Sequence, residues 1–350
     1  MIFMKIDTLI NRSMKLCKYC FVILLLLIPI SAQAQLIPNL GGQRVGISAY
    51  QFLKIGVGAR ATALGESFIA IGGDASSLYW NPAALLQTAG NQVILAHTQY
   101  VADIKHEFLG AFYKLTSSDA VGVSVIALTM NDMPVTNETN PHGTGEMFKY
   151  GDLGIGVTYA RQLTNQFSFG ATIKYIEETL DILKMRSVLV DIGTYYWTGL
   201  GTVRFAVVVT NFGNNVSPTG SVSLFDGSMV NKFQSFSPPT LFKVGIAFEP
   251  YQTEMHKVTT SIQLNHPNDN VENVRVGTEY IWNDILSLRV GLKRTFGEQL
   301  LGKDGSSEDD FACGVGVKVP VSLYKMNVDY SFANFNRLGG VHRISLLFTY

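Results

Sequence analysis

Apolar and polar side chains alternate along most of the chain after residue 92. In residues 274–282, apolar or aromatic side chains and Thr278 occupy the even positions, and Arg275, Gly277 and Glu279 lie between them. Residues 286–293 repeat the pattern, with four leucine or valine side chains at the even positions and Ser287, Arg289, a glycine and a lysine at the odd positions. A period of two places successive side chains on opposite faces of a strand. The pattern therefore predicts strands with one apolar face and one polar face.

Fourteen such runs follow one another to the end of the chain. Their length of about 9 to 12 residues suits a tilted strand that crosses an apolar layer. The predicted strands are residues 92–100, 105–115, 119–130, 150–163, 166–178, 185–198, 202–211, 240–249, 257–266, 272–282, 286–296, 310–319, 322–332 and 342–350.

The connections between these runs differ in length in a regular way. Every second connection is short, as in residues 116–118, 164–165, 199–201, 283–285 and 320–321, and a slightly longer one follows Pro250. The long connections, residues 131–149, 212–239 and 297–309, all fall on the opposite side. A soluble sandwich also alternates, but one-sided long loops are typical of outer-membrane barrels. We therefore predict an all-β fold, a 14-stranded antiparallel transmembrane barrel over residues 92–350.

Residues 35–91 do not alternate, and their small residues and glycines predict a compact, partly helical segment. Asp74 is suited to cap a short turn, and Pro82 after Asn81 suits the start of a helical turn. We expect this segment to lie inside the barrel as a hatch, with Glu66 and other hatch charges paired to inward-facing charges of the strands. The candidate hatch residues are Gly58, Arg60, Gly65, Asp74, Tyr79, Trp80, Asn81 and Pro82.

Residues 58–85 carry a family resemblance. The Gly-Ala-Arg-Ala-x-Ala-Leu-Gly start and the Tyr-Trp-Asn-Pro-Ala end closely resemble the N-terminal segment of the PorV/PorQ family of Bacteroidota outer-membrane proteins. More distantly, Asn81-Pro82-Ala83 resembles the hatch motif of the FadL family of hydrophobic-compound transporters. The resemblance implies a FadL-like barrel and a part in the type IX protein secretion system.

The same resemblance implies a role and its partners. PorV-like members are non-enzymatic carriers that bind the C-terminal domain of secreted cargo at the translocon and bring it to the attachment complex at the cell surface; PorQ-like members have a less defined part. The implied partners are those translocon and attachment-complex subunits, cargo C-terminal domains, outer-membrane lipid and the barrel assembly machinery. The alternative is a FadL-like passive transporter of hydrophobic small molecules, with the hatch as its gate.

Two parts of the chain are candidate contact sites for these partners. The loop of residues 212–239 is too apolar for a free surface loop, and we predict that Phe225, Met229, Phe233 and Phe236 form a partner surface or fold over the barrel mouth. The loop of residues 131–149 is the second candidate. The last strand ends on Phe348 and Tyr350, which resemble the C-terminal signal read by the barrel assembly machinery.

The first 34 residues predict an export signal. Lys15 and Lys18 precede an apolar run over residues 21–28, and Ala32-Gln33-Ala34 forms a small-x-small cleavage site. We expect the Sec pathway to export the chain to the outer membrane, with Gln35 as its first mature residue. Of the 3 cysteines, only Cys313 then remains, which excludes an internal disulfide.

The net charge of the chain and its potentially catalytic residues limit the classes of function to consider. The 27 basic and 27 acidic residues balance, so nothing favours a nucleic-acid partner. The 6 histidines are scattered without the spacing of a zinc site, and no Gly-x-Ser-x-Gly motif supplies a serine nucleophile. We therefore expect no enzymatic activity, no cofactor and no metal site.

Overall fold

The computed structural model describes residues 46–224, 227–296, 311–321 and 324–350. Over these residues, fourteen antiparallel strands form a closed barrel in which the last strand pairs with the first. The predicted fold is confirmed. The barrel strands are β1 (Gln92–Gln99), β2 (Lys105–Lys114), β3 (Asp119–Thr129), β6 (Tyr150–Gln162), β7 (Phe167–Leu180), β8 (Leu183–Trp197), β9 (Arg204–Phe212), β12 (Leu241–Gln252), β13 (His256–Pro267), β14 (Asn273–Trp282), β15 (Leu286–Thr295), β16 (Phe311–Val321), β17 (Tyr324–Asn334) and β18 (Gly340–Thr349).

Two short hairpins lie outside the barrel wall and were not predicted. The first pairs β4 (Met133–Pro134) with β5 (Met147–Phe148), and the second pairs β10 (Val222–Ser223) with β11 (Met229–Val230). Strands β7 and β8 also run further than their patterns predicted, so only residues 181 and 182 separate them. Pairing continues beyond the alternating stretch because each strand supplies backbone partners to the other.

The strand faces differ in exposure as the alternation predicted. Outward-facing Val157 and Ile173 are both 61% exposed, whereas inward-facing Ala160 and Thr172 of the same two strands are fully buried. Aromatic side chains ring the outer face near one end of the barrel, as expected where a membrane meets water. They are Tyr113, Tyr159, Phe169, Tyr196, Phe205, Trp282 and Tyr324.

The long connections lie at the opposite end. Residues 130–149 and 213–240 join strands there, and we call this the loop end and the other the turn end. The third predicted long loop, residues 297–309, lies outside the described residues, as do the predicted signal segment and hatch residues 35–45. Short 3-10 helices in two smaller loop-end connections are Val101–Asp103 and Asn336–Leu338. No helix in the described part of the chain is long and apolar enough to cross a membrane.

Residues 46–91 fill the inside of the barrel, and we call them the hatch. They contain a 3-10 helix, Gln51–Lys54, two α-helical turns, Ala59–Ala63 and Ser77–Trp80, and a second 3-10 helix, Pro82–Gln87. At the loop end, the amide of Ala49 donates to the carbonyl of Ser237 over 3.0 Å. At the turn end, Asn91 and Tyr350 exchange backbone hydrogen bonds of 3.1 and 3.0 Å. The hatch therefore crosses the lumen from the loop end to the turn end.

The end of the last strand carries the first testable prediction. Phe348 pairs with Val93 of β1, and the exposed Tyr350 ends the chain at the turn end. We expect the double change Phe348→Ser and Tyr350→Ser to lower the assembled fraction in outer membranes, because the final aromatic residues are the predicted assembly signal. The fraction is measured from heat-modifiable mobility on gels. Tyr324→Ser, an exposed aromatic change at the same end of β17, is the control and should leave assembly intact. Equal assembly of both proteins would contradict the prediction.

Candidate functional site

Glycines flank the first α-helical turn of the hatch. Gly58 (φ +78°) precedes the helix Ala59–Ala63, and Gly65 (φ +61°) follows it. Residues with a side chain rarely adopt a positive φ, so both positions favour glycine. A Cβ at Gly65 would also lie 2.8 Å from the amide nitrogen of Leu292 in the wall. The turn is therefore seated directly against β15.

Arg60 joins the hatch to the barrel through a buried charge network. Its guanidinium donates to both carboxylate oxygens of Glu279, over 2.9 and 2.7 Å, and to Asp74 over 3.0 Å. Glu279 also accepts from Arg289 over 2.7 Å, and Arg289 donates to Asp329 over 2.6 Å. Two guanidinium groups thus pair with three carboxylates across the hatch and strands β14, β15 and β17. Removing one member would leave a buried charge uncompensated.

A second ion pair lies nearer the loop end. Glu66 of the hatch pairs with Arg275 of β14, which also donates to Asn273 over 2.9 Å. Gly56 leaves room for this pair, since a Cβ there would lie 2.5 Å from a carboxylate oxygen of Glu66. The expected hatch charges therefore meet inward-facing charges of the wall at two levels of the lumen.

The Tyr79-Trp80-Asn81-Pro82 motif holds the hatch together and against the wall. Trp80 donates its indole N–H to the carbonyl of Val57 over 3.0 Å, and the hydroxyl of Tyr79 donates to that of Leu53 over 2.9 Å. The Asn81 side chain donates to Thr194 of β8 over 3.1 Å and accepts from the amide of Ala83, which caps the helix Pro82–Gln87. These residues position the hatch, and each uses its polar groups within the protein.

Sequence reasoning missed the wall positions that receive this motif. A Cβ at Gly170 would lie 2.5 Å from the backbone of Pro82 and Ala83, and one at Gly193 would overlap the Asn81 side chain. Lys243 places its ammonium 5.5 Å from the centre of the Trp80 ring, a cation–π contact. The sequence signal that could have identified these positions is the recurrence of glycine on the inward face of successive strands.

At its loop end, the hatch is held to the barrel by further hydrogen bonds. Lys54 and Gln51 both donate to Asp269, in the connection between β13 and β14, over 3.0 Å. Burial works to raise the pKa of Asp269, but the hydrogen bond from Gln51 and the charge of Lys54 outweigh it and hold that pKa below its usual value. The amide of Tyr50 donates to Glu178 of β7 over 2.7 Å. The hatch is thus held at three places around the loop end, counting Ala49.

The two predicted partner loops flank the turn between β7 and β8 at the loop end. The amide of Asp181 donates to the carbonyl of Lys149 over 2.7 Å, and Lys184 and Thr219 exchange backbone hydrogen bonds of 3.0 and 2.8 Å. Residues 130–149, 181–182 and 213–240 therefore form one continuous edge, which we call the rim. Among the described residues, its exposed large apolar side chains are Met133, Met147, Ile182, Leu224 and Met229.

The predicted partner residues of this rim differ in how exposed they are. Met229 is 61% exposed, but Phe233 is half-buried. Phe236 is also half-buried and packs on the main apolar cluster, because its backbone pairs with that of buried Val216. Phe225 lies outside the described residues. The loop is apolar for two reasons: part of it packs inward and part of it faces solvent.

Cavities lie at both ends of the hatch. One of about 450 Å³ opens at the turn end beside Arg60, Lys318 and Lys325, and one of the same volume lies beneath the loop end beside Glu66 and Arg275. Trp80 is only 2% exposed between them. In the described ranges no three His, Cys, Asp or Glu side chains are grouped to hold a metal ion.

The charge network generates a stability prediction. We expect Arg60→Met to destabilise the barrel by roughly 3 kcal/mol, because Asp74 and part of Glu279 would lose their buried counter-charge. The measurement is urea unfolding of the refolded protein in detergent. Arg186→Met is the matched control: Arg186 pairs with Glu177 on the exposed outer face, where solvent screening leaves an ion pair little effect on stability. An equal loss in both variants would contradict the role assigned to Arg60.

A glycine in the wall tests how closely the hatch is seated. A Cβ at Gly291 would overlap the backbone of Leu64 and Gly65, so we expect Gly291→Ala to displace the hatch and cost about 2 kcal/mol. Liposomes carrying the variant should admit small polar solutes faster than those carrying the parent chain. Gly151→Ala is the control, since its Cβ would meet only the Leu128 carbonyl at 3.4 Å. Unchanged permeability of the Gly291 variant would show that the hatch does not close the lumen.

Three solved structures with this architecture are distant from this chain in sequence. The Pseudomonas putida toluene transporter TodX superposes with a TM-score of 0.54 at 14% identity, covering 88% of this chain and 98% of that one. A Pseudomonas aeruginosa FadL homologue gives 0.52 at 12% identity, covering 85% and 98%. The Ralstonia pickettii toluene transporter TbuX gives 0.51 at 12% identity, covering 84% and 97%. At these identities the similarity shows the FadL-like fold alone.

The sequence itself matches one protein family. No curated protein sequence matches the chain. Residues 39–267 match the family described as "Type IX secretion system protein PorV". This match covers more than half of the 350 residues and includes the whole hatch and the first nine barrel strands. This protein therefore belongs to the PorV family, and it is a component of the type IX secretion system in the outer membrane.

Proposed function

We propose that this protein is a non-enzymatic carrier that binds the C-terminal domain of secreted cargo at the cell surface. Its further partners are the translocon and the attachment complex. The protein takes the cargo from the translocon and delivers the cargo to the attachment complex. The proposal includes export by the Sec pathway, removal of residues 1–34 and insertion into outer-membrane lipid by the barrel assembly machinery. The hatch residues Gly58, Arg60, Asp74 and Trp80 then serve to hold the lumen closed.

The observation that carries this proposal is the rim. Its exposed methionines and Leu224 stand beyond the barrel strands on two hairpins, and Ile182 is exposed in the turn between β7 and β8. Methionine adapts its shape to different apolar surfaces, which suits a protein that receives many cargoes through one shared domain. Each hairpin consists of two strands that pair only with each other among the described residues, so both keep open edges for a strand of a partner.

The inside of the barrel favours a carrier over a channel for hydrophobic molecules. The hatch fills the lumen with paired charges and with buried side chains such as Trp80 and Leu78. A hydrocarbon passing through would have to displace Arg60 from Glu279, or Glu66 from Arg275, and leave charges unpaired in a low-dielectric interior. The solved hydrocarbon transporters share the fold with this chain, but a shared fold does not indicate a shared substrate.

The rim generates the test. We expect the triple change Met133→Ser, Met147→Ser and Met229→Ser to weaken binding of a purified cargo C-terminal domain about tenfold, because apolar area would no longer be buried on binding. Affinity is measured by biolayer interferometry with the protein in nanodiscs. Met255→Ser is the control, because Met255 is equally exposed but lies in the connection between β12 and β13 at the turn end.

A second measurement separates the two functions. The tagged protein is recovered from gently solubilised outer membranes, and its bound proteins and lipids are identified by mass spectrometry. Secretion subunits or proteins sharing one C-terminal domain are the expected result. Unaltered cargo affinity in the triple variant, together with a stoichiometric apolar molecule in the purified barrel, would favour the channel instead.

A further inference from the structure

Most acidic side chains that face the lumen have a basic side chain beside them. Six carboxylates point inward from the described strands, and four of these form ion pairs with a lysine or an arginine. These four are Asp191, Glu249, Glu279 and Asp329. Asp152 of β6 and Glu178 of β7 form no ion pair in the described part of the chain. Two inward carboxylates thus lack the counter-charge that the others receive.

The two unpaired carboxylates lie next to each other. Asp152 and Glu178 are register partners on adjacent strands. The hydroxyl of Tyr150 donates to Asp152 over 2.8 Å, and the amide of Tyr50 in the hatch donates to Glu178 over 2.7 Å. These hydrogen bonds hold both carboxylates in place, but they neutralise neither charge.

One oxygen of this pair is buried without a partner. Asp152 is only 5% exposed, and its Oδ1 atom makes no hydrogen bond with any described residue. The two carboxylates also form no hydrogen bond with each other, so they do not share a proton. Like charges repel strongly in so enclosed a place, and a buried oxygen without a partner costs free energy. A cation bound between the two carboxylates would remove both costs.

The pair is accessible from the loop end. Asp152 and Tyr150 line an open cavity of about 460 Å³ there, together with Asp132, Lys149 and Glu177. Glu177 points outward and has basic partners of its own. Lys149 is exposed to solvent and pairs with neither inward carboxylate. An ion in the solution at the loop end would therefore reach Asp152 without passing the hatch.

The donor atoms indicate which cation fits. They are all oxygens, from two carboxylates and the Tyr150 hydroxyl. No histidine or cysteine among the described residues completes a three-ligand group with them, so a transition metal that prefers nitrogen or sulfur is not favoured. Calcium prefers oxygen ligands, keeps water in its shell and accepts irregular geometry, whereas magnesium demands a nearly ideal octahedron. The two negative charges also match the double charge of calcium.

We propose that Asp152 and Glu178 bind a calcium ion at the loop end of the barrel, with the Tyr150 hydroxyl and water as further ligands. The ion joins β6 to β7 at the base of the rim, because residues 130–149 lead into β6 and residues 181–182 follow β7. Through the amide of Tyr50, it also fixes the start of the hatch to the wall. The inference does not depend on the carrier role, since the ion stabilises this end of the barrel whichever partner binds there.

The test uses the assembled protein in detergent, freed of metal with EDTA and then dialysed. Terbium has the ligand preferences of calcium and emits when a nearby tyrosine absorbs light, so Tyr150 reports on this site. We expect tyrosine-excited terbium emission that calcium chloride displaces at about 0.1 to 1 mM, and magnesium chloride much less. Asp152→Asn and Glu178→Gln should each weaken calcium binding about tenfold or more, because each removes one of two charged ligands.

Glu177→Gln is the matched control. Glu177 lines the same cavity but is ion-paired on the outer face, so this variant should keep the calcium affinity of the parent chain.

A thermal measurement separates lost binding from misfolding. The unfolding temperature is taken from the loss of heat-modifiable mobility on gels. Calcium should raise it in the parent chain and in Glu177→Gln, and leave it unchanged in Asp152→Asn. In EDTA, Asp152→Asn should unfold at a higher temperature than the parent chain, because the repulsion between the two carboxylates is gone.

Several results would overturn the proposal. These are terbium emission that is absent or that calcium does not displace, calcium affinity that neither substitution lowers, and an equal loss of affinity in Glu177→Gln. Failure of calcium to bind, together with cargo affinity that falls in Asp152→Asn, would assign the pair to a basic side chain of the cargo and overturn it too. Calcium binding by a protein that does not bind cargo would overturn only the carrier role.

Discussion

The closure of the sheet is the constraint on which the rest of this structure depends. A strand inside a membrane has no water to pair its backbone groups, so every strand must have a partner on both sides. The pairing of β1 with β18 meets this requirement, from Gln92 opposite Thr349 to Gln99 opposite His342. A ring of fourteen strands encloses more space than its own side chains fill, and an open ring would leak. The hatch follows from closure, because something must occupy that space.

The way in which the hatch fills the lumen explains its unusual composition. Small residues and glycines let its backbone approach the wall, and glycines such as Gly291 and Gly170 on the wall allow the same approach from the other side. Close backbone contact alone would not fix the position of the hatch, because van der Waals contact has little directional preference. The paired charges of Arg60 with Glu279 and of Glu66 with Arg275 supply that direction at two levels. The buried ions thus specify one arrangement, while burial of groups such as Trp80 supplies most of the favourable free energy.

The rim lies at the loop end, where the long connections meet. It presents adaptable apolar side chains and open strand edges, which suit the folded domain of variable sequence that we propose as its partner. The hatch is connected to the rim, because the amide of Ala49 donates to the carbonyl of Ser237.

The sequence by itself determined the barrel, its strand number and the sidedness of its loops. The tenth predicted barrel strand, residues 272–282, differs from β14 by one residue, because lipid on one face and a polar lumen on the other act on each strand separately. Only the tertiary structure decided which residues meet across the lumen. Arg60 and Glu279 are 219 residues apart, and no local pattern links them. The apolar loop of residues 212–239 likewise gave no sign that Phe236 would pack inward while Met229 faces solvent. Alternation is a local property of the chain, whereas hatch contacts and rim exposure arise only when distant segments are brought together.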